Sequence, residues 1–320
     1  MTTTGKLRLV SATAALALGM IVSAAQAQYP DRPINMLVSA GAGGSTDAGA
    51  RILAQSMEKT LGQPVVVVNK PGGAGSTALI QLKDMPADGY TIGYVYSHHV
   101  SFASRYKRKK IPYTAKDFSY IGSITEARFS VVSLAGRGWS NVREMVAKLK
   151  ADGKPLRFVY SGGPGRLVAT AIGKDLGIKL QIVRARSGGE SMQKILGGHV
   201  DAMFSGGAHT RYTQAGKTIV AGAINEKRDP DYPDAPTLME MGVHAATPGL
   251  QIVVGPKGMP DSAVANLAAA MMAARKDEKI ATLFRKNMKM LVDDKGPKDL
   301  AAYMLKEEEG YRQLIASYDK

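Results

Sequence analysis

The segment AGAGGSTD, from Ala40 to Asp47, has the residue types and spacing of an anion-binding turn. Gly43 and Gly44 permit positive φ and leave their backbone N–H groups uncovered. Ser45 or Thr46 can cap a following helix, and the acidic last residue suits the first helical turn. Because free N–H groups at a helix N-terminus attract negative charge, the segment predicts an anion site. An ordinary capped turn without a ligand is the alternative that the pattern leaves open.

Three known phosphate or nucleophile motifs do not fit this segment. A dinucleotide fingerprint beginning at Gly41 needs glycine where Thr46 stands. A phosphate-binding P-loop needs Gly-Lys followed by Ser or Thr, and no such triplet follows. A nucleophile elbow centred on Ser45 needs glycine where Asp47 stands. The segment therefore suits a carboxylate-sized anion better than a nucleotide.

Residues for catalysis or metal binding are poorly represented in the rest of the chain. The sequence has no cysteine, and its histidines lack metal-ligand spacing. Adjacent His98 and His99 could supply one metal ligand, but a histidine in a polar loop is more often a hydrogen-bonding or surface residue. No Ser/His/Asp set has a local signature. We therefore expect no catalytic residue, no metal and no cofactor.

The first 27 residues have the three parts of a secretory signal peptide. Lys6 and Arg8 form the positive region, Leu9 to Ala25 the apolar region, and Ala25-Gln26-Ala27 a small-x-small cleavage site. A membrane anchor is the alternative, although the stretch is short and rich in Ala, Ser and Thr. Export without cysteine predicts a disulfide-free periplasmic protein with cleavage after Ala27.

The formal net charge of +15 favours anionic partners. Nucleic acid or another polyanion is one candidate, because Lys107 to Lys110 form a dense basic run, but only Tyr106 lies beside it. A solvated loop explains that run better. A small anion needs only one or two cations, and Arg166, Arg184 and Arg186 each follow a predicted strand.

Short apolar runs alternate with helical patterns along the chain, which predicts an α/β fold with a parallel sheet. Ile34–Ser39 and Val65–Asn69 are β-branched strands, and Ala50, Leu53, Met57 and Leu61 mark the helix between them. Residues 97–120 show no such pattern and are expected to be irregular. A second helix is predicted over Thr77–Lys83 and a third strand over Thr91–Tyr96, which completes a βαβαβ unit. The later predicted strands are 130–134, 157–161, 180–183, 200–204, 219–224 and 250–255.

Five predicted strand ends carry small or polar residues, and ligands of parallel α/β sheets bind at such ends. Because two of these ends fall in the second half, we expect two α/β domains facing each other across a ligand cleft. The strand-end segments are Ala40–Asp47, Asn69–Ser76 (with Ala74), Ser97–His98, Ser161–Gly165 and Ser205–Gly207.

Several segments, in this order, resemble the solute receptors of tripartite tricarboxylate transporters, also called Bug proteins. They are YPDRPINMLVSAGAGGSTDAGARILAQSMEKTLGQPVVVVNKPGGAGS, ADGYTIGY, YTAKDFSYIGSI, ILGGHVDAMF, QAGKTIVAGAINEKRDPDYPDAPTLMEMG and VVGPKGMP. Each motif alone is weak, but the ordered set is specific and covers essentially the whole chain after the signal peptide.

The resemblance implies a type II periplasmic binding protein, not an enzyme, that delivers a small organic acid to a membrane permease. The implied ligand loops are Ala42, Gly43, Gly44, Ser45, Thr46 and Asp47 in domain 1, and Ser161, Gly162, Gly163, Arg186, Ser187 and Gly188 in domain 2. We expect residues 28–123 plus 225–320 to form domain 1 and 124–224 domain 2, with hinges near Ile124 and Ile224. The receptor is expected to be a monomer that does not bind nucleic acid.

Two departures from the family pattern bear on the ligand. The segment Val183 to Ser187 replaces a V-P-Y-K-G-like sequence, and Ser205 replaces a frequent Asp. Losing an acid and adding Arg makes the pocket less suited to an ammonium group. The sequence thus favours a dicarboxylate or an aromatic carboxylate such as terephthalate over an amino acid. An exported enzyme acting on a carboxylate or ester, and a polyanion-binding surface protein, are the alternatives.

Overall fold

The computed structural model describes residues 29–43, 45–102, 111–247, 249–287 and 290–318. The predicted signal peptide and the basic run at 107–110 lie outside the described residues. Helices cover both faces of two separate β-sheets, as the alternating sequence pattern predicts. Among the described helices, none combines the length and hydropathy that crossing a bilayer requires.

The first sheet has six strands in the order β11-β4-β10-β3-β1-β2. Its strands come from both ends of the chain. They are β1 Ile34–Val38, β2 Val65–Asn69, β3 Thr91–Tyr96, β4 Phe118–Ala127, β10 Gly249–Pro256 and β11 Leu291–Val292.

The second sheet has five strands in the order β7-β6-β8-β5-β9. All five come from the middle of the chain. They are β5 Ser130–Leu134, β6 Leu156–Tyr160, β7 Leu180–Arg184, β8 Ala202–Ser205 and β9 Thr218–Ala223. We call the two sheets with their helices the first and the second lobe.

Each of the parallel strands β1, β2, β6 and β7 leads directly into a helix. The first-lobe helices are α1 Ser45–Leu61, α2 Ser76–Lys83, α3 Ser97–Ser101, α8 Asp261–Arg275, α9 Glu278–Ala281 and α10 Pro297–Tyr318. The second-lobe helices are α4 Val142–Ala151, α5 Gly165–Asp175, α6 Gly188–Leu196 and α7 Thr210–Gln214.

Helix α1 packs its apolar stripe against the first sheet. Ala50, Leu53 and Met57 recur at helical spacing and are fully buried. They share one core with Ile34 and Met36, which point to the same side of β1 because strand side chains alternate. The predicted β1-α1-β2-α2-β3 unit is confirmed, and it fixes the loops that follow β1 and β2.

Strand β4 is absent from the sequence prediction, although it is the longest strand described. Ser119, Ser123 and Thr125 interrupt its apolar run, so no continuous hydrophobic pattern marks it. Ser123 and Thr125 are nevertheless fully buried, because hydrogen bonds from other elements satisfy their hydroxyls. Residues 97–120 are also less irregular than predicted, since Ser97–Ser101 form helix α3.

The prediction of all-parallel sheets is wrong for part of each lobe. Strand β10 runs antiparallel between β3 and β4, and β5 runs antiparallel between β8 and β9. Both exceptions follow from the crossings between lobes. Strands β5 and β10 are the first strands after a crossing, and each begins beside the carboxyl end of a parallel strand and therefore runs in the opposite direction. Hydrophobic runs alone do not encode strand direction, so the sequence pattern could not show this.

The chain leaves the first lobe after Ala127 and re-enters the first sheet at Gly249. The residues after Ala223 stay on the second lobe, where the Leu238 amide donates to the Ala223 carbonyl, and the Thr247 amide donates to the Ile224 carbonyl at 3.3 Å beside the return crossing. Ile124 lies within β4, so the hinge expected at that residue is wrong; strand pairing continues to Ala127. The two crossings are tied together through Ile224, whose amide donates to the Phe129 carbonyl at 2.9 Å. Asn225 accepts from the Phe129 amide at 2.9 Å and donates to the Ala127 carbonyl at 3.1 Å.

Replacing Leu53 by Ala should lower the free energy of unfolding by about 3 kcal/mol, because it leaves a cavity beneath α1. Leu305→Ala is the control on another helix, since its side chain is 44% exposed and its loss should cost less than about 0.5 kcal/mol. Calorimetric melting of both variants measures the difference. Equal melting temperatures would show that the α1 stripe does not carry the core.

Candidate functional site

The loop between β1 and α1 is an exposed glycine turn at the carboxyl edge of the first sheet. Gly43 has φ 80°, in the left-handed region that favours glycine. Ala42 and Gly43 are exposed, whereas Thr46 is buried in the first turn of α1. Gly44 and the side chain of Ser45 lie outside the described part of the chain. The turn therefore has the positive φ predicted at Gly43, but the N–H group of Gly43 is not uncovered as predicted, because it donates to Asp47.

Asp47 stabilises this turn from inside. Its carboxylate accepts from the Gly43 amide at 2.9 Å, from Arg51 Nε at 3.1 Å and from Asn69 Nδ2 at 2.8 Å. The Arg51 hydrogen bond, followed by those from Gly43 and Asn69, lowers the Asp47 pKa to about 2. Asn69 also donates to the Ala40 carbonyl at 3.0 Å. Asp47 and Asn69 thus shape the loop, and both carboxylate oxygens already have partners.

Thr46 connects the loop to the central strands. Its side chain lies beside the Tyr96 hydroxyl at the end of β3, where it opposes the rise in pKa that burial causes in that group. Tyr96 in turn accepts a hydrogen bond of 3.1 Å from Gln251 Nε2 on β10. The Gln251 carbonyl oxygen accepts from Tyr94 at 2.6 Å and from Thr125 at 2.8 Å. This buried network joins three strands and packs against the glycine turn.

A second glycine loop follows β2 and packs on His99. Gly75 has φ 93°, and a Cβ there would lie 2.4 Å from the imidazole ring. His99 Nδ1 is also 3.0 Å from Ser39 Oγ, next to the first loop. Burial lowers the His99 pKa to about 4, so the ring is neutral near pH 7. The Ala74 side chain is outside the described part of the chain.

His98 lies where the two lobes meet. Its ring stacks on Tyr96 at 5.2 Å, and its Nε2 is 3.5 Å from the place a Cβ on Gly163 would occupy. Burial, and then the neighbouring His99, hold the His98 pKa well below its usual value, so this ring is neutral as well. Its buried Nδ1 has no hydrogen-bond partner among the described residues. A neutral imidazole can donate to or accept from a ligand.

The second lobe contributes the loop after β6 to the same junction. Ser161, Gly162 and Gly163 are partly exposed, and Gly163 has φ 56°. Phe129 and Phe204 close the junction from below, with ring centroids 5.0 Å apart. Phe129 also meets His98 at 5.8 Å. The structure therefore brings Ser161–Gly163 beside His98, as the strand-end argument predicts.

The other second-lobe residues predicted for the ligand site differ in burial and in hydrogen-bond partners. Ser187 caps α6 by accepting from the Glu190 amide at 3.2 Å, and Gly188 is the first residue of that helix. The Arg186 side chain is 98% exposed, with only Glu190 nearby at 3.8 Å. Ser205 is buried, and its hydroxyl is 2.8 Å from His209 Nδ1. In this conformation Ser205 is paired within its own lobe.

A cavity of about 350 Å³ lies beside the hinge rather than at the glycine loops. Its walls come from the ends of β4 and β10, from β11 and α10, and from residues 223–229. It includes none of the residues predicted for the ligand site, and Phe129 is its link to His98. Asn225, Asp229 and Lys295 of the cavity are already hydrogen-bonded, whereas the buried His98 Nδ1 beside the glycine loops has no partner among the described residues.

Sequence reasoning missed five residues that shape the site: Ser39, Arg51, Tyr96, His99 and Gln251. Only Arg51 had a readable signal, because it stands four residues after Asp47 on a predicted helix. The others gain their role from neighbours that are distant in sequence. The basic run at 107–110 lies outside the described residues, so the structure says nothing of it.

Comparison with known proteins identifies what this arrangement is similar to. The sequence profile described as "Tripartite tricarboxylate transporter family receptor" matches residues 49–316. The "UPF0065 protein in gbd 5'region" of Cupriavidus necator is 32% identical over 279 residues, covering 83% of this chain and 82% of the relative.

Solved structures have the same two-lobed fold. The periplasmic binding protein BugD is 28% identical with a TM-score of 0.76, over 91% of this chain and 99% of that one. MatC from Rhodopseudomonas palustris, solved with bound malate, has a TM-score of 0.76 at 23% identity, over 90% of this chain and 100% of that one. At that lower identity the likeness shows the fold alone.

Asp47→Ala should loosen the glycine turn, because it leaves the Gly43 amide, Arg51 and Asn69 without their shared acceptor. Amide hydrogen exchange of residues 41–47 should become faster. Asp84→Ala is the control, since that side chain is 73% exposed.

The lowered pKa of Asp47 gives a second check. The stability difference between wild type and Asp47→Ala should persist above about pH 4 and shrink as pH falls through 2. Unchanged exchange at Gly43 would contradict this role.

Gly75→Ala should destabilise the site more than Gly62→Ala. Both glycines have positive φ, of 93° and 68°, so both variants carry a backbone cost of about 1–2 kcal/mol. Only the Cβ at position 75 collides with a side chain, the His99 ring, whereas nothing lies within 4 Å at position 62. Melting temperature and the His99 ring NMR signals measure the effect. An equal loss in both variants would show that Gly75 is needed only for φ.

Proposed function

This chain belongs to the tripartite tricarboxylate transporter receptor family, and from that premise we propose that it captures a small dicarboxylate between its two lobes. Members of this family are solute-binding receptors, and the chain is accordingly a receptor and not an enzyme. The exported-enzyme alternative is therefore rejected. Carboxylate recognition, the residues that perform it and the closing motion are the parts that we infer.

Four helix N-termini carry the proposal. Helices α1 and α2 of the first lobe, and α5 and α6 of the second, each begin just after a parallel strand. Each helix therefore starts at the carboxyl edge of its sheet, and the His98–Gly163 contact brings the two edges together. A helix N-terminus offers free N–H groups and partial positive charge. One pair of such termini in each lobe supports a ligand with an anionic group at each end, and one amide each at the starts of α1 and α6 is already used on Asp47 and Ser187.

The charges around the cleft also favour an anion without a cationic end. His98 and His99 are neutral because burial lowers their pKa values, so they bind by hydrogen bonding. Asp47 is already paired with the Arg51 cation and hydrogen-bonded to Asn69. Ser205 stands where the family often has an aspartate that could pair with an ammonium group. We therefore infer a dicarboxylate rather than an amino acid.

The chain length of the ligand is part of the proposal. MatC, which has the same fold, was solved with malate, a four-carbon dicarboxylate. The rings of Tyr96, His98, Phe129 and Phe204 line the junction and also favour a flat apolar ligand body between two carboxylates. Aliphatic dicarboxylates and terephthalate are therefore the ligands to test first.

Ligand capture would close the lobes about the paired crossings. We place the hinge at Arg128–Phe129, between β4 and β5, and at the return to β10 after Thr247, with Ile224–Asn225 lying between these two segments. These segments are short and already hydrogen-bonded to each other, so they can rotate together without disturbing either sheet. The first segment lies a few residues after the hinge expected near Ile124, and the second lies well after the hinge expected near Ile224.

Delivery follows from the family, whose receptors serve tripartite membrane transporters. We propose that the closed, loaded receptor presents its ligand to such a permease in the periplasm, after cleavage of residues 1–27. We further propose that it acts as a monomer.

Isothermal calorimetry with malate, succinate, adipate, terephthalate, aspartate and glutamate tests the ligand class. Malate, succinate, adipate and terephthalate should bind, and their binding should raise the melting temperature. Aspartate and glutamate, which carry an ammonium group as well, should bind more weakly. Gly163→Val should abolish binding, because a β-branched residue resists φ 56° and fills the space facing His98. Gly216→Val is the control, with φ 69° and nothing within 4 Å. Binding of aspartate but of none of the four acids that lack an ammonium group would overturn the proposal.

A further inference from the structure

We infer that Glu307, on the C-terminal helix α10, is a positioning residue for ligand capture: it holds α3, and with it His98, in place at the lobe junction. The inference rests on the proposed function, because His98 is placed there in the ligand site. Within the described part of the chain, the Glu307 side chain is hydrogen-bonded to Ser97 and Ser101 of α3 and to Tyr303 of its own helix, and to none of the glycine loops.

Two serines on one face of α3 donate to this carboxyl group. Ser97 Oγ is 2.7 Å from Glu307 Oε1, and Ser101 Oγ is 2.5 Å from Oε2. The serines are four residues apart, which puts both on the same helix face. Tyr303 adds a third hydrogen bond of 3.2 Å from its hydroxyl to Oε1. Both oxygens of the Glu307 carboxyl group therefore accept hydrogen bonds.

Helix α3 depends on such an external partner. It has only five residues, Ser97–Ser101, so most of its backbone groups have no partner within the helix. Its first residue is also tied to the start of β10, since the Leu250 amide donates to Ser97 Oγ at 3.1 Å. Tyr113 donates to the His99 carbonyl at 2.7 Å. Of the described contacts to the α3 side chains, only those with Glu307 hold both ends of the helix.

The next residue after Ser97 is His98, whose Nε2 faces Gly163 in the second lobe. A shift of Ser97 would move His98 directly, because both lie in the first turn of α3. Glu307 therefore connects the C-terminal helix to the residue at which the lobes meet. A buried carboxyl group is costly, and a residue needed only to fill this space could be apolar.

The environment of Glu307 also predicts how it responds to pH. Burial raises its pKa to about 7, and the hydrogen bonds from Ser101, Ser97 and Tyr303 oppose that rise. The nearby tyrosines are neutral because burial raises their pKa values. His98 is neutral because burial lowers its pKa. The titratable or charged groups around this site are Tyr120, Glu126, Lys295, Tyr303, Glu308, Tyr311 and His98.

The sign of the pH effect follows from the direction of the shift. The folded pKa of about 7 lies above the ordinary 4.5, so stability is fully present below about 4.5 and falls as pH rises through 7. Above pH 7 the ionised carboxylate also adds a negative charge beside Ser97, the residue next to His98 in the proposed anion site. Ligand affinity should therefore fall severalfold between about pH 6 and pH 8, since like charges repel in a buried setting.

Glu307→Gln is the conservative variant. Its carbonyl oxygen can accept from Ser97 and Tyr303, and its amide can donate to Ser101, whose hydroxyl already lies 3.1 Å from the Ser97 carbonyl. It should keep wild-type malate affinity at pH 6 and lose the pH dependence. Glu307→Ala should weaken malate binding about tenfold and speed amide exchange in residues 97–101. Ser101→Ala should produce a smaller change of the same kind if Glu307→Ala does not fold.

Glu308→Gln is the matched control, because Glu308 is the next buried carboxyl group on α10 and accepts from the Ala115 amide at 3.2 Å. It should leave both the pH profile and the exchange of residues 97–101 unchanged. Glu307→Gln losing as much affinity as Glu307→Ala, or normal exchange in the Ala variant, would overturn the inference. If wild type binds no dicarboxylate, the proposed function fails, and the exchange comparison alone decides the role of Glu307.

Discussion

The side-chain amide of Gln251 is fully buried, and the first lobe is arranged around the hydrogen bonds that it requires. A buried amide without partners would cost several times the net gain of one hydrogen bond. Here Tyr94, Tyr96 and Thr125 supply them from β3 and β4, on either side of β10. Because Tyr96 lies beside Thr46 in the first turn of α1, this network packs against the glycine turn, and because β10 begins at a lobe crossing, the network also reaches the hinge.

The site that results has few charges of its own. Its two histidines are neutral, and its aspartate is paired with Arg51. Attraction for an anion would come from backbone dipoles at helix ends, which do not have to be desolvated and rearranged as flexible cations do. Such a site suits a receptor that must release its ligand, since neutral hydrogen bonds are weaker than direct ion pairs. The overall positive charge of the chain could then act at long range, concentrating anions near the surface.

Much of the fold was predictable because burial gives local patterns. The stripe of Ala50, Leu53 and Met57 and the run Val65–Asn69 identified α1 and β2 directly. Strand β4 was not predictable in this way, since Ser123 and Thr125 are buried only because Lys295 and Gln251 satisfy them. Strand direction was missed for the same reason, as pairing with a distant partner leaves no mark on the apolar pattern. The same holds for the candidate site. The glycines of its loops could be predicted from the sequence, whereas Tyr96, Gln251 and Glu307 could not, because their partners are distant in sequence.

The sequence by itself determined the alternation of strands and helices, the glycine turns that need positive φ, and the placing of those turns at strand ends. Each of these depends on residues within a few positions of one another, so local sterics and periodicity encode them. Only the tertiary structure decided that Asp47 braces the turn, that His98 meets Gly163, and that Glu307 holds α3. Those contacts join residues far apart in the chain, and burial creates their energetic importance: a carboxylate or imidazole acquires its role from the partners it is enclosed with.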